Sequence, residues 1–113
     1  MTSHREFTKT QRRRIRELCA LAYERELSAE LARLEAAFRR WRAEEINAFG
    51  LSDLIHQFHQ GPSRELFLRY DQVDPLLVAS AIHRGIIPEA EVGAEVLELL
   101  CSHIAFFRDQ DRK

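Results

Sequence analysis

The residues best suited to metal chemistry in this chain are two histidines, His56 and His59, and one carboxylate, Glu65. Side chains three residues apart share a helix face, so the two imidazoles would lie side by side, and a carboxylate is a common further zinc ligand. Gly61 and Pro62 separate Glu65 from the histidines, and no further His or Asp is placed to complete four ligands. The pattern therefore favours ordinary surface residues, and we expect neither a metal nor a cofactor.

No recognisable motif supplies a catalytic nucleophile either. Cys19 and Cys101 lie inside helical patterns, without the CxxC spacing of metal or redox sites. A hydrolase needs a nucleophile beside a base and an oxyanion hole, yet neither a GxSxG turn nor a phosphate-binding glycine loop occurs. We therefore expect a protein that is not an enzyme and whose two thiols are reduced.

Charge is distributed unevenly along the chain. Residues 1–16 hold six basic side chains and one acidic side chain, a net charge of +5, whereas the whole chain carries −1. A basic cluster can contact phosphates, so a small dimeric nucleic-acid-associated protein is an alternative function, although no base-reading module supports nucleic acid as the partner. No apolar stretch of signal-peptide or membrane-spanning type occurs, which predicts a cytoplasmic protein without membrane contact.

The elements that must position these residues are predicted to be helices throughout. Residues 10–45 lack Gly and Pro and are rich in Ala, Leu, Glu and Arg, so they form one long helix, after which Gly50 takes the left-handed conformation. A second helix begins at Ser52 and ends at Gly61. Pro62 either opens a third helix that runs to about Asp71 or continues the second one with a kink.

The remaining helix start and stop signals predict two more helices. Asp74 and Pro75 open a helix that Gly85 closes, and Pro88 opens a last helix that runs to about Phe107. We expect a single domain of residues 1–113, in which residues 1–9 are a flexible basic arm. Residues 10–72 form an extended helical part, and residues 73–113 form a small helical head.

Along the long helix an apolar seam recurs at steps of 4, 3, 4 and 3, the a/d spacing with which one helix packs on another. A helix of about 35 residues is roughly 50 Å long, which is longer than a compact domain of this size. Part of the helix would therefore protrude unless another helix packs along it. A helical hairpin covers part of the seam, and a second copy of the chain covers the rest, which predicts a homodimer; the alternative is an intramolecular seam. The seam residues are Leu27, Leu31, Leu34, Phe38 and Trp41.

Several segments occur in the order and spacing of one known family. Residues 22–27, Ala-Tyr-Glu-Arg-Glu-Leu, are similar to the Ala-Tyr-x-Arg-Glu-Leu stretch in the long first helix of the cyanobacterial fluorescence recovery protein family. The similarity spans about residues 15–100. Further along, the family's His-Asp-Phe, Glu-Ile, Lys-Tyr-Asp and Gly-Leu-Val resemble His56-Gln57-Phe58, Glu65-Leu66, Arg69-Tyr70-Asp71 and Gly85-Ile86-Ile87.

The resemblance implies an all-helical homodimer, in which a long first helix folds back on a second one beside a helical head. It also implies a bacterial, photoprotection-related regulator that binds the orange carotenoid protein and speeds its return to the resting form, without bond chemistry. It implies that Phe58 joins the seam in the dimer interface. The partner-binding residues that it implies are Asp53, His56, Arg64, Glu65, Tyr70, Leu76 and Val78.

The chain departs from the family at positions that shape these surfaces. Asp53 stands where the family has Trp, and Gln57 stands where it has Asp. Arg64 matches a family Arg only with a shift of one residue, and an aromatic of the family's head aligns with Leu76 or Val78. We therefore expect a protein-binding regulator whose natural client differs from the orange carotenoid protein.

Four of the partner and interface positions also have a purely structural interpretation. Arg64 and Glu65 suit surface ion pairs, which contribute little to stability, and Phe58 and Tyr70 suit core packing. The burial of Phe58 and Tyr70 and the ion pairs of Arg64 and Glu65 in the folded chain bear on whether these residues are structural or contact a partner.

Overall fold

All regular structure in the computed structural model, which describes residues 7–112, is helical, so the predicted all-α class is confirmed. No strand forms within that range. No helix of residues 7–112 is long and apolar enough to cross a membrane. The elements are α1 (Lys9–Arg42), α2 (Ala48–Phe58), a π-helical turn (His59–Ser63), α3 (Arg64–Arg69), α4 (Pro75–His83), a 3-10 turn (Glu89–Glu91), α5 (Ala94–Leu99) and α6 (Cys101–Asp111).

Reciprocal hydrogen bonds fix the start of α1. The Thr8 hydroxyl accepts from the Gln11 amide N–H at 3.0 Å, and the Gln11 side-chain oxygen accepts from the Thr8 N–H at 2.8 Å. This Thr-x-x-Gln capping box satisfies two donors that the first helical turn leaves unpaired. Good helix formers then continue without interruption for 34 residues.

The helix α1 ends three residues before the predicted end at about residue 45, and the left-handed residue after it is not Gly50 as predicted. Glu44 is the residue in the left-handed region, with φ of 62°, and α1 has already ended at Arg42. Gly50 lies in the first turn of α2, where its N–H donates to the Asn47 side-chain oxygen at 2.9 Å. Asn47 therefore caps α2 instead of Ser52, because a short amide side chain can accept from the turn that follows it.

Pro62 does not open a new helix. It lies inside the π-helical turn that joins α2 directly to α3, so the predicted alternative of a continued, locally distorted helix is confirmed. Proline lacks an N–H, and its ring would collide with the carbonyl four residues earlier in a regular α-helix. The extra residue in a π turn relieves this collision.

The prediction for α4 is confirmed, whereas that for the last helix is wrong. The Asp74 carboxylate accepts from the Leu76 N–H at 2.9 Å, Pro75 occupies the first turn, and Gly85 follows α4 with φ of 80°. After Pro88, however, a 3-10 turn comes first. Gly93 then adopts a φ of 96°, which side chains other than glycine rarely tolerate, and it separates that turn from α5.

The chain folds as two compact units. Residues 7–22 and 72–112 belong to the first unit, and Tyr23–Asp71 form the second, so the boundary falls inside α1. The start of α1, which the sequence assigned to the extended part, thus packs with the C-terminal helices. Phe7 is buried and Lys9 begins α1, so only residues 1–6 of the predicted basic arm are left, and they lie outside the described residues.

The two units differ sharply in how much apolar surface they bury. Of the buried apolar side chains among residues 7–112, fourteen belong to the first unit, including Ile15, Leu18, Val78 and Leu100. Three belong to the second unit. They are Ala37, Leu51 and Leu66.

We predict that Asp74→Ala lowers the free energy of unfolding by about 1 kcal/mol, because it removes the cap of α4. Asp74→Asn keeps an acceptor at the same place and should stay close to wild type. Urea unfolding at one fixed protein concentration measures both variants. Equal stability of the Ala and Asn variants would contradict the role of the cap.

Candidate partner-binding surfaces

The apolar seam of α1 is largely open to solvent. Leu31, Phe38 and Trp41 are 46%, 37% and 41% exposed, whereas Leu27 and Leu34 are half-buried. A groove of about 490 Å³ runs along this face. We call it the α1 groove, and it is lined by Leu31, Leu34, Glu35, Phe38, Arg39 and Arg42.

A neighbouring face of α1 is covered by α2. A cavity of about 240 Å³ is lined by Leu34 and Ala37 on one side and by Leu54 and Phe58 on the other. Phe58, expected in the dimer interface, is half-buried there and so packs within its own chain. Leu34 lines both the cavity and the α1 groove. The groove is therefore the side of the seam that α2 leaves uncovered.

A polar cluster links α1 to the end of α3. Arg69 donates to one oxygen of the Glu26 carboxylate at 3.1 Å, and the Tyr70 hydroxyl donates to the other oxygen. The Tyr70 ring also stacks on Tyr23, with centroids 5.2 Å apart and planes 11° from parallel. Tyr70, expected at a partner surface, is half-buried and makes these contacts within its own chain.

The contacts of this cluster join two of the segments that resemble the fluorescence recovery protein family. Tyr23 and Glu26 belong to the Ala-Tyr-x-Arg-Glu-Leu match, and Arg69 and Tyr70 belong to the Lys-Tyr-Asp match. Sequence reasoning did not assign Glu26 a role. The charge pattern of a helix gives no indication that one Glu among several is held by a segment more than forty residues away.

A second groove, of about 480 Å³, lies beside this cluster. Arg64 is exposed on it and forms no ion pair within residues 7–112, and Phe67 is 57% exposed. Phe67 was not predicted as a site residue, because an aromatic in a short amphipathic helix is ordinarily core. We call this surface the aromatic groove, and it is lined by Tyr23, His59, Gln60, Ser63, Arg64 and Phe67.

The other residues predicted to bind a partner fall into two groups. Asp53, His56 and Glu65 are exposed in the second unit, and Leu76 is 43% exposed in the first. Val78 is fully buried. Its side chain packs in the core of the first unit and offers no surface to a partner, because α4 turns that face inward.

The groups with metal or nucleophile chemistry do not assemble into a site among residues 7–112. No three His, Cys, Asp or Glu side chains come together there, and His56 and His59 are both exposed. Cys19 is buried and its thiol lies 3.7 Å from the Asp74 carbonyl oxygen. Burial raises the pKa of the Cys19 thiol, and the thiolate that a nucleophile requires is disfavoured.

Comparison of the chain with protein-family models, curated proteins and solved structures gives no match. The resemblance to the fluorescence recovery protein family therefore rests on the quoted segments alone.

We predict that Tyr70→Phe lowers the free energy of unfolding by about 2 kcal/mol, because it leaves the Glu26 carboxylate without one hydrogen bond. Tyr23→Phe is the matched control. Its hydroxyl has no partner within residues 7–112, so the change should stay within about 0.5 kcal/mol.

A double-mutant cycle of Glu26→Gln with Tyr70→Phe, followed by urea unfolding, measures the interaction directly. We expect a coupling free energy of about 1 kcal/mol or more. Additive effects of the two substitutions would show that the contact contributes nothing.

Proposed function

We propose that this chain is a non-enzymatic, protein-binding regulator that acts as a homodimer, similar in organisation to the fluorescence recovery protein family. The observation that carries the proposal is the open α1 groove, whose apolar residues Leu31, Phe38 and Trp41 are about two-fifths exposed. Contiguous exposed apolar surface of this kind marks an interaction site. In this account α1 and the α2–α3 segment form a helical hairpin, and the α1 groove is its dimer surface.

A second copy of α1 fits the groove best in the antiparallel orientation. With the two-fold axis near position 36, Leu31 packs against Trp41 of the second copy, and Leu34 packs against its Phe38. In antiparallel pairs, a positions face d positions, and this register satisfies the rule for all four residues. The two-fold symmetry repeats each of these contacts, so that every pair occurs twice in the dimer.

Charge complementarity selects the same register. It places Glu35 beside Arg42 of the second copy, twice per dimer, on the groove side that α2 leaves open. A parallel pair would place Glu30 beside Glu35 of the second copy, and the other antiparallel register would place the two Glu35 carboxylates together. Like charges at these flanking positions weaken pairing and determine orientation.

The aromatic groove is the surface that we assign to the client protein. Arg and aromatic residues dominate the binding free energy of protein interfaces. The groove presents Arg64, which has no ion pair among residues 7–112, beside Phe67 and Tyr23. The Tyr70 ring stacks on Tyr23, and the Glu26 carboxylate accepts a hydrogen bond from the Tyr70 hydroxyl. Regulation then needs only tighter binding to one client conformation than to another.

The predicted test of the dimer uses charge reversal. Glu35→Arg should weaken dimerisation about tenfold, because it sets two cations together twice, and Glu35→Arg with Arg42→Glu should restore it. Sedimentation equilibrium measures the dissociation constants. A tighter dimer in the single variant would indicate the parallel arrangement instead.

Leu31→Glu places a carboxylate inside the same interface and should weaken the dimer about a hundredfold or more. Phe49→Glu is its control, since Phe49 is 82% exposed and lies outside the seam. Equal dissociation constants for the two variants would show that the dimer interface does not lie in the α1 groove.

We predict weak or no acceleration of the dark recovery of light-activated orange carotenoid protein by an equimolar amount of this protein. Asp53 replaces the family's Trp, and a loss of about 1.4 kcal/mol of differential binding slows recovery tenfold. The absorption of the carotenoid protein in the visible range follows the rate. Acceleration equal to that of a cyanobacterial family member would show that the carotenoid protein is a competent client.

A further inference from the structure

The first turns of α1 carry a continuous basic face. Lys9, Arg12, Arg13 and Arg16 stand at positions i, i+3, i+4 and i+7, so their side chains share one side of the helix. All four residues are exposed. Lys9 was predicted to belong to a flexible arm, but it lies in α1 with the three arginines. We call this stripe of four cations the basic face.

Little negative charge neutralises the basic face. Glu17 is the one carboxylate between residues 9 and 22, and it pairs with Arg14 at 3.2 Å. Arg12 donates to the Phe7 carbonyl oxygen at 2.7 Å. Lys9, Arg13 and Arg16 form no ion pair within residues 7–112.

This position is unfavourable for cations in the isolated chain. The N-terminal end of a helix carries a partial positive charge, so acidic residues stabilise it and basic residues destabilise it. The first turn of α1 contains no acidic residue and begins with Lys9. Stability of the fold therefore does not explain the basic face, whereas a bound anion would offset both the dipole and the repulsion among the cations.

Two features indicate the chemistry of that anion. Three of the four cations are arginines, whose planar guanidinium binds phosphate oxygens in pairs. The apolar side of the same turns, Ile15, Leu18 and Ala22, is buried in the first unit and is not available to insert into a lipid surface. A phosphate polymer therefore fits the basic face better than a membrane does.

We propose that the basic face binds the phosphate backbone of a nucleic-acid duplex without reading its bases. The stripe spans about 10 Å along the helix axis, a length over which a duplex carries about six phosphates, and its four cations can neutralise about four of them. The nearby Gln11 amide, a potential base-reading group, donates instead to Glu95 at 2.6 Å. The surface lies in the first unit and does not depend on the proposed dimer or client groove.

Fluorescence anisotropy of a labelled DNA duplex of mixed sequence, titrated with the full chain at several salt concentrations, tests this proposal. With four phosphate contacts, affinity should fall about 150-fold between 50 and 200 mM salt. In Arg13→Gln/Arg16→Gln, with two contacts left, the fall should be about 12-fold and binding at 50 mM salt should be much weaker.

Arg108→Gln/Arg112→Gln is the matched control, because it removes the same charge from exposed, weakly paired positions of the first unit. It should retain the wild-type salt dependence, and circular dichroism should show equal helicity in both variants. Indistinguishable salt dependence in the two variants would overturn the proposal, as would the absence of duplex binding at 50 mM salt. Equally tight, Arg13- and Arg16-dependent binding to polyglutamate or to anionic phospholipid vesicles would assign the face to an acidic protein or a membrane instead.

Discussion

The second unit has few fully buried apolar side chains, and the apolar seam of α1 is its largest set of apolar residues still exposed to water. Three buried apolar side chains serve the 49 residues of Tyr23–Asp71, while Leu31, Phe38, Trp41 and Phe67 remain open to water. A unit of this size has a marginal core even when it is well packed, and fixing each residue costs about 1–2 kcal/mol of conformational entropy. The Glu26–Arg69–Tyr70 cluster and the Tyr23–Tyr70 stack hold the helices in register, but polar contacts contribute only about 1–3 kcal/mol each. The further contribution that we propose is cover of the α1 groove by a second copy of the chain, whose charges are complementary in the antiparallel register.

The two junctions, between α1 and α2 and between α2 and α3, determine which side chains of these helices come together. Glu44, in the left-handed region, and the Asn47 cap separate α1 from α2, and Leu54 and Phe58 line the same cavity as Leu34 and Ala37. The π turn then continues into α3 across Pro62 without a loop, which brings Arg69 and Tyr70 back to Glu26. Arg64 and Phe67 lie on α3, and they are the residues that we propose for contact with a client.

Local signals in the sequence predicted much of this fold. The run without Gly and Pro predicted α1, and Asp74–Pro75 predicted the start of α4. The 4-3 spacing predicted an apolar seam, of which Leu31, Phe38 and Trp41 are exposed. The left-handed residue after α1 was wrongly predicted as Gly50, because Glu is a helix former and nothing local marks Glu44 as left-handed. Val78 was assigned to a partner surface from the resemblance, but an apolar residue in a helix cannot be placed on an inner or outer face until its neighbours are known. Glu26 and Phe67 were missed for the same reason, since their roles depend on α1 and α3 meeting, a long-range contact.

The central claim is that a second copy of the chain covers the α1 groove. The molar mass of the wild-type protein, measured by light scattering from about 1 to 100 µM at physiological salt, tests it most directly, because a seam of this size should pair in the micromolar range or below. The account predicts a mass of about 26 kDa, twice the 13.2 kDa of one chain. A mass of 13.2 kDa throughout that concentration range would contradict it.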